Sequence, residues 1–334
     1  EAGAYDGQVR RLRLRFDGYV GNPKFLYAIQ LSFAPGDVGE VKEGENINII
    51  RDAVVFYRPN KHWNISFGQT KLPGNRQRVN SSGGLQLTDR TINNAKFTID
   101  RDFGFQVHNL NEFKDKFSYN FKAALSGGEG RNQTGKADDG VAVTGKVELF
   151  PLGAFTKDGT YFEGDILREK KPKLLLSGAF QQNNHAQRTQ GQLGNDLFER
   201  RTMKSVFLDA MFKYNGWAAM MSYMSRTTNE NAITVNPEDV TESNYVYVGN
   251  GFDYQASYNT KSNYEFIARY SIQNVGNDIA ALAPNVREYS MGVTKYIWEH
   301  AFKLQAEVNY DTLNYFDGSA KNNWYVRFQV EIGI

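Results

Sequence analysis

Residues 117–126 read Phe-Ser-Tyr-Asn-Phe-Lys-Ala-Ala-Leu-Ser. Successive side chains of a strand point to opposite faces, so Phe117, Tyr119, Phe121, Ala123 and Leu125 share one side while Ser118, Asn120, Lys122 and Ser126 share the other. The same beat recurs in both directions along the chain. Toward the N-terminus, Leu12, Leu14 and Phe16 oppose Arg11, Arg13, Arg15 and Asp17, and Phe25, Tyr27, Ile29 and Leu31 back onto Gln30 and Ser32. Toward the C-terminus, Tyr264, Phe266, Ala268 and Tyr270 oppose Glu265, Arg269 and Ser271, and the last run sets Trp324, Val326, Phe328 and Val330 against Tyr325, Arg327, Gln329 and Glu331.

Fifteen segments follow this pattern, near 8–20, 24–33, 48–58, 62–70, 95–108, 116–127, 141–150, 173–183, 203–214, 217–226, 249–259, 263–274, 286–298, 301–310 and 323–334. Many run about ten residues, the length a tilted strand needs to cross a bilayer. Their connections alternate. Tight turns such as Asn215-Gly216, a strong hairpin signal, are followed by long polar stretches at 34–47, 70–94, 128–140, 184–202, 227–248, 275–285 and 311–322.

The composition narrows the classes of function. Of 334 residues, 39 are Lys or Arg and 37 Asp or Glu, a net charge of +2 that lacks the concentrated basicity of a nucleic-acid binder. The longest strictly apolar runs are about five residues, as at Ala53 to Tyr57, against the roughly 20 a membrane helix needs. No Cys is present, which excludes a disulfide framework, a thiolate nucleophile and a cysteine-ligated zinc site. The load of 23 Phe, 19 Tyr and 4 Trp suits strands whose two faces meet different environments.

Hydrocarbon cannot satisfy an open strand edge, so a sheet that crosses it must curl on itself, apolar outside and free to be polar within. The expected fold is an all-β, transmembrane, antiparallel up-and-down β-barrel of the outer membrane. Tyr19, Trp63, Trp217, Tyr258, Tyr296, Trp298 and Trp324 at strand ends suit its interfacial aromatic girdles. A soluble sandwich is the competing architecture, with shorter strands and fewer aromatics at their ends. Bacterial single-chain barrels have an even strand number. Fifteen therefore leaves two expectations: a first strand upstream of Glu1 that is missing from this chain, which the alternation favours, or one overlooked within 150–172.

Four stretches, in order, resemble landmarks of the phosphate-selective porin O and P family. They are Arg10-Arg11-Leu12-Arg13-Leu14-Arg15-Phe16-Asp17-Gly18, then Phe67-Gly68-Gln69-Thr70-Lys71-Leu72-Pro73 leading into Leu87-Thr88-Asp89-Arg90, then Arg101 to His108, and finally Tyr264 to Tyr270. The resemblance extends over nearly the whole chain. It implies a barrel of about 16 strands, a homotrimer, and a channel narrowed by an inward loop lined with basic groups.

On that reading the constriction loop is 70–94 and the periplasmic connection 150–172. Lys71, Arg76, Arg78 and Arg90 lie in the candidate constriction against the single acid Asp89. Arg11, Arg13 and Arg15 form a second basic stripe, and Lys122, Lys146, Arg269 and Arg327 fall on lumen faces of other strands. Glu148, Asp209, Glu265, Glu307 and Glu331 face the same way, as a polar interior requires.

The function expected is a porin: a water-filled passive channel for small hydrophilic solutes, with Arg and Lys favouring small anions, phosphate among them. Its expected surroundings are outer-membrane lipid or lipopolysaccharide. No cofactor, metal or nucleic acid is expected. A docking barrel that binds outer-membrane proteins through its loops or a plugged lumen is the alternative, and a barrel enzyme a more distant one. A run resembling a phosphate-binding loop, Gly130 to Lys136, lacks the following Ser or Thr and any strand-loop-helix setting.

Overall fold

A computed structural model describes residues 3–38, 48–133 and 140–333. The large sheet contains β1 (Arg13–Val20), β2 (Asn22–Ser32), β3 (Ile50–Tyr57), β4 (Trp63–Lys71), β5 (Arg101–Asn111), β6 (Ser118–Ser126), β7 (Ala142–Phe150), β8 (Lys173–Arg188), β9 (Asp196–Tyr214) and β10 (Trp217–Thr228). A small hairpin, β11 (Ile233–Val235) and β12 (Ser243–Tyr245), follows. The large sheet then resumes with β13 (Gly249–Asn259), β14 (Tyr264–Val275), β15 (Asn285–Trp298), β16 (Phe302–Asn314) and β17 (Ala320–Ile332). Its fifteen strands are antiparallel and joined in chain order, β1 through β10 and then β13 through β17. Every segment expected from the alternation is one of them. No helix among the described residues is long and apolar enough to cross a membrane.

The faces are inverted relative to a soluble protein. Phe121, Leu125, Val143, Leu208, Phe266 and Met291 are exposed, whereas Asn120, Lys122, Thr144, Glu265, Ser290 and Lys303 are buried. An apolar outer surface and a polar interior are what a barrel in lipid requires. The ends of the strand order also approach each other. Arg10 and Arg11, just before β1, reach Asp89 Oδ1 at 2.6 and 3.5 Å, and Arg327 of β17 pairs with the same carboxylate.

Four expectations need correction. The strand expected from residue 95 starts at Arg101, because Thr91 caps a short helix, Ile92–Phe97, by accepting from the Asn94 N–H at 3.1 Å. The loop expected at 184–202 is largely strand: β8 and β9 continue pairing through Ala186↔Arg201 and Arg188↔Asp196, with register shifts on the way. Water on both faces leaves such an extension without alternation. No strand lies in 151–172, which holds one short 3₁₀ turn, Gly159–Tyr161. Tyr296 is buried rather than part of a girdle, donating its hydroxyl to Glu265 at 2.5 Å, while Trp217, Trp298 and Trp324 are exposed as expected. Gly135, Lys136, Ile334 and most of 34–47 lie outside the described residues.

Candidate functional site: a divided lumen

The connection from Lys71 to Arg101 folds into the barrel and crosses it. Just before it, within β4, Gly68 has φ +128° and an added Cβ would lie 2.3 Å from the Ala53 carbonyl oxygen, so only Gly is accommodated there. The connection's contacts run along the far wall. The Arg76 N–H donates to Asp209 of β9 at 3.0 Å, Asn93 and Thr91 to Asp253 of β13 at 2.9 Å each, Gln86 to Glu265 of β14 at 2.6 Å, and Thr88 to Glu307 of β16 at 2.8 Å.

Buried cations of the wall hold its main chain. Arg226 donates to the carbonyls of Lys96, Phe97 and Thr98 at 2.7–3.0 Å, Lys303 to those of Gly83 and Leu85 at 2.8 and 2.6 Å, and Lys146 to that of Gly74 at 2.9 Å. A buried ammonium or guanidinium is tolerated when its donors are all taken, and helix-terminal and turn carbonyls are natural acceptors.

The 151–172 connection docks beneath this loop. Lys213 Nζ lies 2.8–2.9 Å from the carbonyls of Gly159, Phe162 and Gly164. The loop interlocks with it: Arg76 Nη2 donates to Thr160 and Phe162 carbonyls, Gln77 to Glu163 at 3.0 Å, and the Gln86 N–H to Glu163 at 2.9 Å. Phe162 stacks on His300 with ring centroids 3.8 Å apart. Burial, then the cations of Lys303 and Lys213, push the imidazole down to about 3, so His300 is neutral at physiological pH. Together these two segments fill the side of the lumen walled by β8 to β16.

Open space remains on the other side. A cavity of about 210 Å³ lies between the loop, at Arg78, Val79, Ser81, Ser82 and Arg90, and the wall of β1 to β5. Arg13, Arg15, Arg51, Lys71, Arg78, Arg90 and Arg101 line it, with Asp52 as the one lining carboxylate. Most of these cations are braced. Arg13 meets Asp37 at 2.8 Å and Ser82 Oγ at 2.9 Å; Arg51 pairs with Asp37; Arg78 holds Asp100 through two contacts of 2.8 and 2.5 Å; Arg101 holds Asp52 through two of 3.0 Å. Lys71 and Arg90 donate to loop carbonyls at 2.8–3.1 Å.

Burial opposes ionisation of Asp37, but the Ser32 hydroxyl and the Arg51 and Arg13 guanidiniums overcome it and hold the carboxyl below its usual range. Burial, Arg78 and Arg11 push Arg90 down to about 9, which leaves it charged at neutral pH.

Of the residues singled out in the sequence, Arg13, Arg15, Lys71, Arg78 and Arg90 converge on this cavity. The others lie apart from it. Arg76 is bound to the 151–172 segment, Lys122 meets Glu148 at 2.8 Å, Lys146 meets Glu148 and Gly74, and Arg269 meets Glu288 at 3.0 Å and the Asp89 carbonyl. Arg11 and Arg327 gather at Asp89.

Arg51 and Arg101 were not anticipated. Arg51 is the extra residue of a bulge, since Gln30 pairs with Asp52 and Leu31 with Ile50, and a bulge re-aims a side chain against the period of two. Arg101 opens β5, paired with Lys71, where alternation is not yet enforced. A usable signal existed for both: a basic residue beside an Asp at a strand start, in Arg51-Asp52 and Arg101-Asp102.

Comparison with known proteins places this architecture. The chain resembles the outer membrane channel DcaP of Acinetobacter baumannii with TM-score 0.55 and 15% identity, over 97% of this chain and 84% of that one. It resembles Salmonella typhi OmpF, solved in complex with daunomycin, with TM-score 0.55 and 13% identity, over 99% and 93% of the two chains. The trimer form of Vibrio cholerae OmpT matches with TM-score 0.51 and 11% identity, over 96% and 91%. No curated protein sequence matches this one. Residues 2–147, which contain the whole of the basic cavity wall, match the family Phosphate-selective porin O and P. The chain has the fold of the outer-membrane β-barrel porins, and its residues 2–147 are similar to the phosphate-selective porins O and P.

Proposed function

We propose that the protein is a passive channel with a preference for small anions, phosphate among them, and that it works as a homotrimer in a lipopolysaccharide-bearing membrane. The observation that carries this reading is the charge of the open side of the lumen: seven cationic side chains and one carboxylate line the cavity beside the constricting loop. Guanidinium and ammonium groups in a narrow polar passage replace part of an anion's hydration and raise its local concentration. Their bracing fixes positions without cancelling charge, because the cations outnumber the acids. Transport needs no catalytic step on this reading.

The test is the reversal potential of single channels in a KCl gradient. Parent protein should favour chloride over potassium, and the double substitution Arg13→Gln, Arg51→Gln should bring the permeability ratio several-fold closer to unity. Cation preference in the parent would overturn the reading.

A further inference from the structure

The wall of the basic cavity is only partly polar. Ala28 of β2 pairs with Val54 of β3 on the lumen face, Phe56 follows two residues on, and Val79 of the loop lines the same cavity. Elsewhere in the lumen, large apolar side chains such as Phe207 and Met211 are buried. Ala28 and Val54 are also buried, but together with Phe56 they border the open cavity. Next to this apolar strip Arg51 is buried, and its Nε has no hydrogen-bond partner among the described residues. An unpartnered buried N–H is costly in a folded protein unless something that enters the site satisfies it. A fully hydrated inorganic anion gains nothing from Ala28, Val54 and Phe56, whereas an anion with an apolar body loses water from both ends at once.

We propose that this cavity is a subsite for small organic carboxylates with an apolar body, the carboxylate accepting from Arg51 and the body lying along Ala28, Val54 and Phe56. Resting on the anion preference proposed above, the inference adds the class of solute that the cavity retains. A planar guanidinium suits the two oxygens of a carboxylate, and the strip beside it selects among anions by size and polarity of what the carboxylate carries.

The experiment uses the full-length channel in planar bilayers, with benzoate and inorganic phosphate each added to a KCl bath as interrupters of the chloride current. Benzoate should interrupt at a concentration about tenfold lower than phosphate, the margin expected from one partly buried aromatic contact. Phe56→Ser should abolish that margin, and Arg51→Gln should weaken interruption by both. Strand circular dichroism and protease resistance of Phe56→Ser in detergent report an intact barrel; should that variant fail to assemble, Val54→Thr, nearly the same shape, reads the same effect. Interruption by phosphate at or below the benzoate concentration, or a benzoate margin that survives both wall substitutions, overturns the subsite. A chloride-selective channel with no benzoate margin would sink this inference alone. A cation-selective one would sink the underlying preference as well.

Discussion

The two sides of the lumen use similar residues for opposite ends. Walled by β8 to β16, one side spends its cations on main-chain carbonyls: Lys213, Lys303 and Arg226 each close the donor-poor end of a turn or short helix and are buried. On the side walled by β1 to β5, Arg13, Arg51, Arg78 and Arg101 pair with carboxylates while Lys71 and Arg90 hold loop carbonyls, yet all of them border open space. A positive charge in a barrel is therefore not by itself a solute site. Its role depends on whether packed chain or open space surrounds it.

The largest expected effect comes from breaking the packed side. Lys213→Met orphans three carbonyls, each worth about 1–3 kcal/mol when left unsatisfied. Stability in urea should fall by about 3 kcal/mol or more, with new protease cuts inside 151–172 and a larger single-channel conductance. By contrast, Arg15→Met on the open side removes an exposed pair with Asp17 and should cost under about 1 kcal/mol by the same titration. Equal costs would erase the distinction between the two sides.

The outer surfaces of the two sides should not differ. Phe121→Arg on β6 and Phe266→Arg on β14 each place a charge on the exposed apolar face, and each should lower folding stability in lipid by about 2–4 kcal/mol if near mid-membrane. Unfolding titrations in vesicles would show whether either position tolerates the charge, which would remove it from the lipid face.

Selectivity sharpens the comparison further. Arg76 and Arg78 are two residues apart in one short helix, so they project to nearly opposite sides: Arg76 to Thr160 and Phe162, Arg78 to Asp100 at the cavity. Arg76→Gln should loosen the interlock and raise conductance with the anion-to-cation ratio nearly unchanged, whereas Arg78→Gln should lower the ratio. Reversal potentials of the two variants decide this.

The smallest expected effect is with pH. Neutral His300 is held down at about 3, below the ordinary imidazole value near 6.5, so between those values the unfolded chain binds more protons than the folded one. Stability of the packed side should therefore be complete above pH 7 and decline as pH falls toward 5. Protease sensitivity of 151–172 should rise over that range, and His300→Phe, which keeps the stack on Phe162, should remove the dependence.

By itself the sequence determined the fifteen wall strands, because a strand between lipid and water has an unavoidable period of two, as in Phe117 to Ser126. It also marked the basic loop and the arginine stripe of β1. It could not separate Arg76 from Arg78, reveal the bulge that brings in Arg51, or tell that Lys146 and Lys213 serve carbonyls, since each depends on partners distant in sequence. Lys213 and its acceptors at Gly159 to Gly164 are about 50 residues apart, and Lys303 and Gly83 about 220. Only the folding of the inward segments against the wall decided which charges were packed away and which remained beside the passage. The physical reason is that a local pattern fixes which face a side chain takes, whereas a donor's partner is set by what the chain brings back across the lumen.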